Sequence, residues 1–387
     1  MPVHTGILRS MKVLQLFSDW KWTGPAEPVL SLCEALSRQG VDVTLAYRKT
    51  PLEFHERTVE KQVKQRAVRY YDGLRLNRYF SFRDWSHDVH HLKDYVSREN
   101  IDIVHTNLSH DHYTAVISML LAGGRSLIVR TDHKRDGMPD NIFMSWALHR
   151  TDGIVTYSEK LREQDIKRFN FPVERTSVIP PAIKVYEGPV KDMRNDLGIR
   201  PDERVIGIIG RLKPDRGYDI VLKAFKRVKD RQDKVRLLIM GRSSQIEESI
   251  KRPLAELGLE KDVILAGYRV EDYFSVIAAF DIFVMMRAGS DGSARALREV
   301  MGMGKPAIVS DAGMLPELVD NGESGFVTTW DENDLSTRME DLLKDEEKRK
   351  AFGANAAKKA REKWDFKAQA GQLKVFYEKL ILMGKRK

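Results

Sequence analysis

The stretch VIGIIGRLKPDRGYD, residues 205–219, decides the fold because it joins a buried strand to a loop and a helix start. Its first part is short and almost continuously apolar, which is typical of a strand covered on both faces of a parallel sheet. Gly210 and Arg211 end this strand, and Arg216 opens the helix. Glycine lets a ligand approach the backbone, and the two arginines flank the space above the carboxyl end of the strand, where ligands bind in open α/β sheets. A diphosphate fits such a place.

The same alternation of strand and helix continues on both sides of this stretch. VLSLCEALSRQG (29–40) has the spacing of an amphipathic helix, and FKAQAGQLKVFYEKLILMG (366–384) predicts one long terminal helix. Further short apolar runs predict buried strands: KVLQLF (12–17), VDVTLAY (41–47), IDIVHT (101–106), SLIVRT (126–131), GIVTYS (153–158), TSVIPP (176–181), VRLLIMG (235–241), VILAGY (263–268), IFVMM (282–286) and PAIVSD (306–311). This repetition predicts an α/β fold with parallel sheets covered by helices on both faces.

Length and composition indicate two globular domains. At 387 residues the chain is too long for one ordinary core. The strand pattern stops in the Pro-rich, unperiodic segment 180–190 and then restarts, which places the junction near residue 185. Hydrophobic content of 42% with 31% charged residues excludes a disordered chain. A single cysteine, Cys33, excludes an internal disulfide and favours a reducing cytosol.

The net charge of +9 is unevenly distributed. Residues 57–83 hold eight Lys/Arg against two acidic residues, and the tail from 344 to 387 is rich in lysine. Two interpretations stay open, a solvated surface or attraction to phosphates and an anionic membrane face. Nucleic acid is not an expected partner, because no aromatic-basic motif of the single-strand-binding kind occurs.

Several classes of enzyme are excluded by missing motifs. No G-x-G-x-x-G follows a strand and no G-x-x-x-x-G-K-[ST] occurs, which argues against dinucleotide oxidoreductases and P-loop enzymes. No two aspartates lie two residues apart, so the Asp-x-Asp site of metal-dependent sugar transferases is absent. Two groups of three histidines lack the spacing of a metal site; they are His87, His90 and His91, and His105, His110 and His112. No metal or other cofactor is expected.

The motifs GRLKPDRGYD (210–219), VILAGY (263–268) and AAFDIFVMMRAGSDGSARALREVMGMGKPAIVSDAGMLPELVDNGESGFV (278–327) resemble the nucleotide-binding half of retaining glycosyltransferases of the B fold, family 4. The N-terminal half resembles the same family more loosely, in SDWKWTGPAEPVLSLCEALSRQGVDVTLAY (18–47) and in the two His-bearing strand ends within 101–134. The resemblance implies two Rossmann-like parallel-sheet domains that face a cleft. It also implies that the C-terminal helix crosses back to the N-terminal domain.

On this resemblance, residues 1–184 form the acceptor-binding domain, 185–365 the nucleotide-sugar-binding domain, and 366–387 the returning helix. The implied activity is a metal-independent, retaining transfer of a sugar from a nucleotide-diphosphate sugar, a co-substrate, to a glycan or lipid-linked acceptor. Cell-envelope polysaccharide or lipopolysaccharide synthesis is the expected setting. The expected location is cytoplasmic, with peripheral contact at the anionic inner face of the membrane.

The resemblance also implies donor-binding residues. Arg211 and Arg216 would grip the diphosphate, although the family usually has Lys at the second position, which alters geometry. The family's paired glutamates, eight residues apart, fall on Asp291 and Glu299. Glu299 would bind the ribose hydroxyls, and Asp291, a catalytic candidate, the hydroxyls of the transferred sugar. The remaining candidates offer backbone groups to the phosphates, at glycine loops or a helix N-terminus: Gly24, Gly210, Gly292 and Ser293.

On the acceptor side, three histidines carry predicted roles by resemblance. His133, in RTDHK, occupies the position of a histidine that lines the transferred sugar near the anomeric centre, which makes it the second catalytic candidate. His105 and His110 would border the acceptor. An ordinary strand-end histidine or a polar loop end is the alternative for each.

Two arginines depart from the family, which is usually apolar at both positions. Arg295 lies in the first turn of a predicted helix, where the helix dipole disfavours a cation. We therefore predict that Arg295 contacts a phosphate or an acidic sugar, and that Arg298 is exposed to solvent.

Two other functions stay open on the sequence. A sugar-nucleotide epimerase or a phosphorylase would use the same two-domain scaffold. A non-catalytic nucleotide-sugar-binding subunit is the third hypothesis, supported by Asp291 in place of glutamate and by the Arg-rich helix.

Overall fold

The computed structural model describes residues 10–22, 26–54, 56–77, 79–289 and 294–386. The chain divides into two compact units, one of Met1–Ala182 with Phe366–Lys387 and the other of Ile183–Asp365. Across the described parts of the chain, no helix has the length and hydropathy that a membrane crossing requires.

The first unit is built on a seven-stranded, fully parallel sheet with the order β3-β2-β1-β4-β5-β6-β7. Its strands are β1 (Lys12–Phe17), β2 (Asp42–Tyr47), β3 (Tyr70–Tyr71), β4 (Ile103–Thr106), β5 (Leu127–Thr131), β6 (Gly153–Thr156) and β7 (Thr176–Val178). Its helices are α1 (Ala26–Arg38), α2 (Val59–Gln65), α3 (Phe82–Glu99), α4 (Ser109–Leu121), α5 (Ile142–Leu148), α6 (Glu159–Phe169) and α14 (Phe366–Met383). The strand order reverses between β1 and β4, where open α/β sheets bind ligands.

Alternate residues of these strands enter two cores, one on each face of the sheet. On β1, Val13 belongs to one apolar cluster and Leu14 to the other. The C-terminal helix α14 packs on the first face, where Phe376 and Leu380 join the cluster that also contains residues of α1. Gly153 permits this packing, because a Cβ there would lie 2.5 Å from the side chain of Leu380. The return of the last helix to the N-terminal sheet is therefore confirmed.

The second unit has a six-stranded, fully parallel sheet with the order β10-β9-β8-β11-β12-β13. Its strands are β8 (Arg204–Arg211), β9 (Val235–Arg242), β10 (Val263–Gly267), β11 (Ile282–Met285), β12 (Ala307–Ser310) and β13 (Gly325–Thr328). Its helices are α7 (Tyr218–Arg231), α8 (Arg252–Leu257), α9 (Tyr273–Ala278), α10 (Arg295–Gly302), α11 (Leu315–Leu318), α12 (Glu332–Lys344) and α13 (Glu346–Lys363). Here the order reverses between β8 and β11.

The predicted fold class is confirmed, since both sheets are parallel and Rossmann-like. Two strands were not predicted. Tyr70–Tyr71 is too short to show any periodicity, and Gly325–Thr328 is a four-residue strand that begins at the end of the motif 278–327. The predicted helix at 29–40 begins earlier, at Ala26, and ends at Arg38.

Candidate functional site

A cavity of about 220 Å³ lies at the carboxyl edge of the second sheet, where the strand order reverses between β8 and β11. None of the described residues that line it is acidic, and four of them are arginines. They are Arg211, Arg216, Arg287 and Arg295. A concave site with one sign of charge at a topological switch point attracts an anionic ligand. Together with Gly210, which also lines it, three of these arginines belong to the predicted donor residues.

The two motif arginines are held in different ways. Arg216 ends a single turn of 3-10 helix (Pro214–Arg216), and the next position requires glycine, because Gly217 has φ +75° and a Cβ there would lie 2.8 Å from Cβ of Met286. The guanidinium of Arg216 donates to the carbonyl of Ala288, beyond the end of β11, and is largely buried. Arg211, at the end of β8, has an exposed side chain. One cation is thus fixed by the backbone, while the other extends from the strand end.

Glu299 is a buried carboxylate with two charge-stabilising donors. Its Oε1 accepts a hydrogen bond from Nε of Arg295 at 2.7 Å, and its Oε2 accepts one from the hydroxyl of Tyr273 at 2.8 Å. Burial, and then the charge of Glu299, raise the pKa of Tyr273 well above its ordinary value, so the phenol stays a donor. A carboxylate has about four lone-pair positions, so Glu299 retains acceptor capacity for further hydroxyls.

The same ion pair explains how a cation is tolerated at the start of α10. Arg295 is the first helical residue, and Glu299 lies one turn further along. The carboxylate offsets the unfavourable interaction of the guanidinium with the helix dipole. More than half of the Arg295 side chain is exposed, and Arg295 lines the cavity, so an anion in the cavity could reach it. The contact itself stays a prediction.

The prediction for Arg298 was wrong. Its side chain is fully buried rather than exposed, and the guanidinium lies 4.7 Å from the ring centroid of Trp364. Trp364 follows α13, the helix that packs against α10. A planar guanidinium is buried at low cost when it stacks on an aromatic ring, which a compact ammonium does less well. Arg298 therefore belongs to the core beneath the site.

Four predicted site residues lie outside the described part of the chain. They are Gly24, Asp291, Gly292 and Ser293. Their assigned roles stay predictions. The described chain resumes at Ala294, whose φ of 45° lies in the left-handed region, before α10 begins.

In the first unit, His105 and His133 are both buried at the carboxyl edge of the sheet, on β4 and two residues beyond β5. Burial, followed by the charge of Arg130, lowers the pKa of His105 to about 3. The same two causes, in the same order, lower the pKa of His133 well below its ordinary value. Both rings are therefore neutral at physiological pH. His110 lies in the first turn of α4, and its Nε2 is buried with no hydrogen-bond partner among the described residues.

The structure brings His105 and His133 into one hydrogen-bonded network. Nε2 of His133 lies 3.0 Å from Oδ1 of Asn107, and its Nδ1 faces the hydroxyl of Tyr157. Nδ1 of His105 faces the hydroxyl of Tyr377, on the C-terminal helix. Sequence reasoning did not find these partners. A local signal for one of them is the position of Asn107, a polar residue two positions after His105 at the same strand end.

No group of three or more His, Cys, Asp or Glu within the described ranges is arranged to hold a metal ion. In one of the two histidine groups, the rings of His87 and His91 stack with centroids 3.7 Å apart on α3. In the other, Nε2 of His112 bonds to Oγ1 of Thr151 at 2.7 Å.

Two family models match this chain, one in each half of the sequence. The model of the family described as Glycosyl transferases group 1 matches residues 189–359, and that of Glycosyltransferase Family 4 matches residues 23–186. Spore coat protein SA of Bacillus subtilis is 24% identical over 327 residues, which cover 73% of this chain and 86% of the relative. N-acetyl-alpha-D-glucosaminyl L-malate synthase of Bacillus anthracis is 22% identical over 329 residues, covering 80% and 83%. The structure of Anabaena Alr3699/HepE in complex with UDP has a similar fold, with a TM-score of 0.76, 19% identity, and coverage of 95% and 100%.

Proposed function

Because the chain belongs to the group 1 glycosyltransferases, we propose that it carries out a metal-independent, retaining transfer of a sugar from a nucleotide-diphosphate sugar to a glycan or lipid-linked acceptor. The observation that carries this proposal is the cavity lined by four arginines at the switch point of the second sheet. A departing nucleoside diphosphate develops negative charge, and preplaced cations stabilise that charge without reorganisation.

The diphosphate is proposed to bind between the two motif arginines. Arg216 is already fixed by its bond to the Ala288 carbonyl, so its positive charge is oriented before the donor arrives. Arg211 is the last residue of β8 that pairs with β9, and it is exposed, so we propose that its side chain closes over the phosphates. Gly210 keeps this strand end free of a side chain, and a Cβ there would lie 3.2 Å from the Tyr218 hydroxyl, a tight contact.

The nucleoside is proposed to bind Glu299 through its ribose hydroxyls. The carboxylate is held by Tyr273 and Arg295 and keeps acceptor capacity. Asp291 and the backbone of Gly292 and Ser293 are proposed to contact the transferred sugar and the diphosphate. In the first unit we propose that His133 lines the transferred sugar, and that His105 and His110 border the acceptor.

Peripheral contact with an anionic membrane, in envelope polysaccharide or lipopolysaccharide synthesis, completes the proposal. Within the basic segment 57–83, several cations are already neutralised by acidic partners, among them Arg66 by Glu27 and Arg69 by Asp42. Membrane attraction would therefore rely on fewer charges than the sequence count suggests. Three large exposed side chains near the segment's end would add apolar contact: Tyr79, Phe80 and Phe82. Cosedimentation with anionic but not neutral vesicles tests this part, and equal binding to both would contradict it.

The donor part is tested by a thermal-shift screen of UDP-, GDP-, ADP- and CMP-sugars, followed by a transfer assay in EDTA. We expect stabilisation by one class of nucleoside-diphosphate sugar, and transfer that persists in the chelator. Arg211→Ala and Glu299→Ala are expected to abolish the stabilisation. Unchanged donor binding in both variants would overturn the assigned site.

A further inference from the structure

Seven buried side chains of the first unit form one continuous hydrogen-bonded chain. Their fractional exposures are all 7% or less. In order along the network they are Tyr157, His133, Asn107, Gln15, Tyr377, His105 and Thr131. They come from the ends of four neighbouring strands and from the C-terminal helix. Buried polar groups are costly unless each is satisfied, so the proton positions in such a chain are mutually constrained.

A backbone carbonyl determines which atoms donate and which accept along this hydrogen-bonded network. Nδ2 of Asn107 donates to the carbonyl of Leu16 at 2.9 Å and to Oε1 of Gln15 at 3.0 Å. A carbonyl oxygen only accepts, so the amide of Asn107 cannot be flipped without setting oxygen against oxygen. Oδ1 of Asn107 must then face Nε2 of His133, 3.0 Å away, and it can only accept.

It follows that His133 carries its proton on Nε2. Its other nitrogen, Nδ1, accepts from the hydroxyl of Tyr157, because the ring is neutral. Both nitrogens are thereby committed to protein partners.

The other arm of Asn107 fixes His105 by the same logic. Oε1 of Gln15 accepts from Asn107, so Nε2 of Gln15 donates to the Tyr377 hydroxyl oxygen at 3.1 Å. The Tyr377 hydroxyl proton then points to Nδ1 of His105, and Nε2 of His105 donates to Oγ1 of Thr131 at 2.6 Å. In the opposite tautomer, neither Gln15 nor His105 would accept the proton of this buried hydroxyl, which costs free energy.

We propose that Asn107 is a positioning residue for the transfer reaction, because it holds His133 and His105 as Nε2–H tautomers and fixes the ring of His133. The proposal rests on the proposed function, in which His133 lines the transferred sugar. Because both ring nitrogens of His133 are hydrogen-bonded to protein groups, the ring provides a neutral contact surface in a fixed position at the sugar site. Proton exchange with substrate through a ring nitrogen is not its role.

Tyr377 provides a matched control within the same network. It lies on the Gln15 arm only, so Tyr377→Phe removes the donor to His105 and leaves the Asn107–His133 bond in place. Asn107→Ala removes the hydrogen bond to His133 and the bond to Gln15 that leads to His105, so neither histidine tautomer is fixed by the network. The two variants therefore separate a specific effect on His133 from a general loosening of the buried network.

The test is 15N NMR of histidine-labelled full-length protein, with the signals of both residues assigned by His105→Gln and His133→Gln. We expect Nε2–H signals for both histidines in the wild type. Tyr377→Phe should change only the His105 signals, and Asn107→Ala those of both. If Asn107→Ala does not fold, Asn107→Asp takes its place, where a carboxylate should shift His133 toward the doubly protonated form. An Nδ1–H His133 in the wild type, or unchanged signals in the Asn107 variants, would overturn the proposal.

Kinetics test the link to the reaction. Asn107→Ala should lower kcat by about 100-fold, the typical cost of a small misplacement near the reacting centre, while the Kd for the nucleoside diphosphate is unchanged. An unchanged kcat together with altered tautomers would overturn the positioning role. If the wild type transfers no sugar at all, the proposed function fails, and the NMR measurement still decides the tautomers.

Discussion

The two units place their candidate residues in opposite environments. In the second unit, four arginines line a cavity, and two of them are paired with carboxylates, Arg216 with Asp215 and Arg295 with Glu299. In the first unit, His105 and His133 are buried, neutral and bonded on both ring nitrogens to protein groups. All ten histidines precede residue 150, so none lies in the second unit. The second unit is therefore suited to binding an anionic ligand, and we call its cavity the charge-binding side. The first unit holds its histidine rings in fixed positions, and we call this network the geometry-holding side.

The largest expected effect is on the charge-binding side. Glu299→Ala removes the proposed acceptor for two ribose hydroxyls, and hydrogen bonds to a charged group contribute about 1.5–3 kcal/mol each. We expect a loss of about 100-fold or more in affinity for the nucleoside diphosphate, measured by calorimetry. Glu248→Ala, an exposed carboxylate on the same unit, is the control and should leave the affinity unchanged. Equal affinity in the two variants would remove Glu299 from the site.

The sequence predicted the charge-binding side better than the other, for a physical reason. Gly210, Arg211 and Arg216 lie within one strand–loop–helix unit, so local spacing alone places them together. The fold follows from short apolar runs in the same way. The partners of His133 are Asn107 and Tyr157, which follow β4 and β6 and are remote from it in sequence. No local pattern links Gln15 to Tyr377 further along the same network. Arg298 was misplaced for the same reason, because the ring that covers it, Trp364, is remote in sequence.

The geometry-holding side is expected to respond to pH. The pKa of folded His105, about 3, lies below its ordinary 6.5, so as the pH falls the unfolded chain takes up a proton first. The stability that neutral His105 contributes is thus present above pH 6.5 and is lost below it, by about 1.4 kcal/mol per pH unit. From pH 6.5 to 4.5, the difference in free energy of unfolding between wild type and His105→Gln should shrink by about 2 kcal/mol. Denaturant titrations at both pH values measure it.

A carboxyl group in the same unit gives the opposite sign and serves as the control. Burial, and then the charge of Asp132, raise the pKa of Asp165 to about 7, above its ordinary 3.8. Here the folded state takes up the proton first, so stability from this group grows as the pH falls from 7 to 3.8. As the pH is lowered, the difference in free energy of unfolding between wild type and Asp165→Asn should therefore rise, while the difference between wild type and His105→Gln falls. Parallel slopes in the two variants would contradict these assignments.

A smaller effect is expected beneath the charged cavity. Arg298→Lys keeps the charge but loses the contact of the guanidinium with the Trp364 ring, and a desolvated cation–π contact contributes about 2 kcal/mol. We expect the second unit to lose about that much free energy of unfolding, seen in denaturant titration. Arg252→Lys, on an exposed helix surface, should change little. If both substitutions cost the same, Arg298 is not part of the core.

The smallest effect concerns the family difference at residue 216. Arg216→Lys keeps the positive charge and loses the guanidinium geometry that reaches the Ala288 carbonyl. One hydrogen bond contributes about 1 kcal/mol, so donor affinity should fall only about fivefold, measured by calorimetry. Arg216→Ala, which removes the charge, should weaken binding far more. Equal losses in the two variants would mean that geometry, and not charge, determines the contact.

The most direct test of the central claim is the anomeric configuration of the product formed in the presence of EDTA. With the nucleoside-diphosphate sugar identified in the thermal-shift screen, NMR of the product compares its anomeric centre with that of the donor. We predict transfer that continues in the chelator and a product with the configuration of the donor. An inverted anomeric centre, or transfer that stops in EDTA and returns with a divalent cation, would contradict the account.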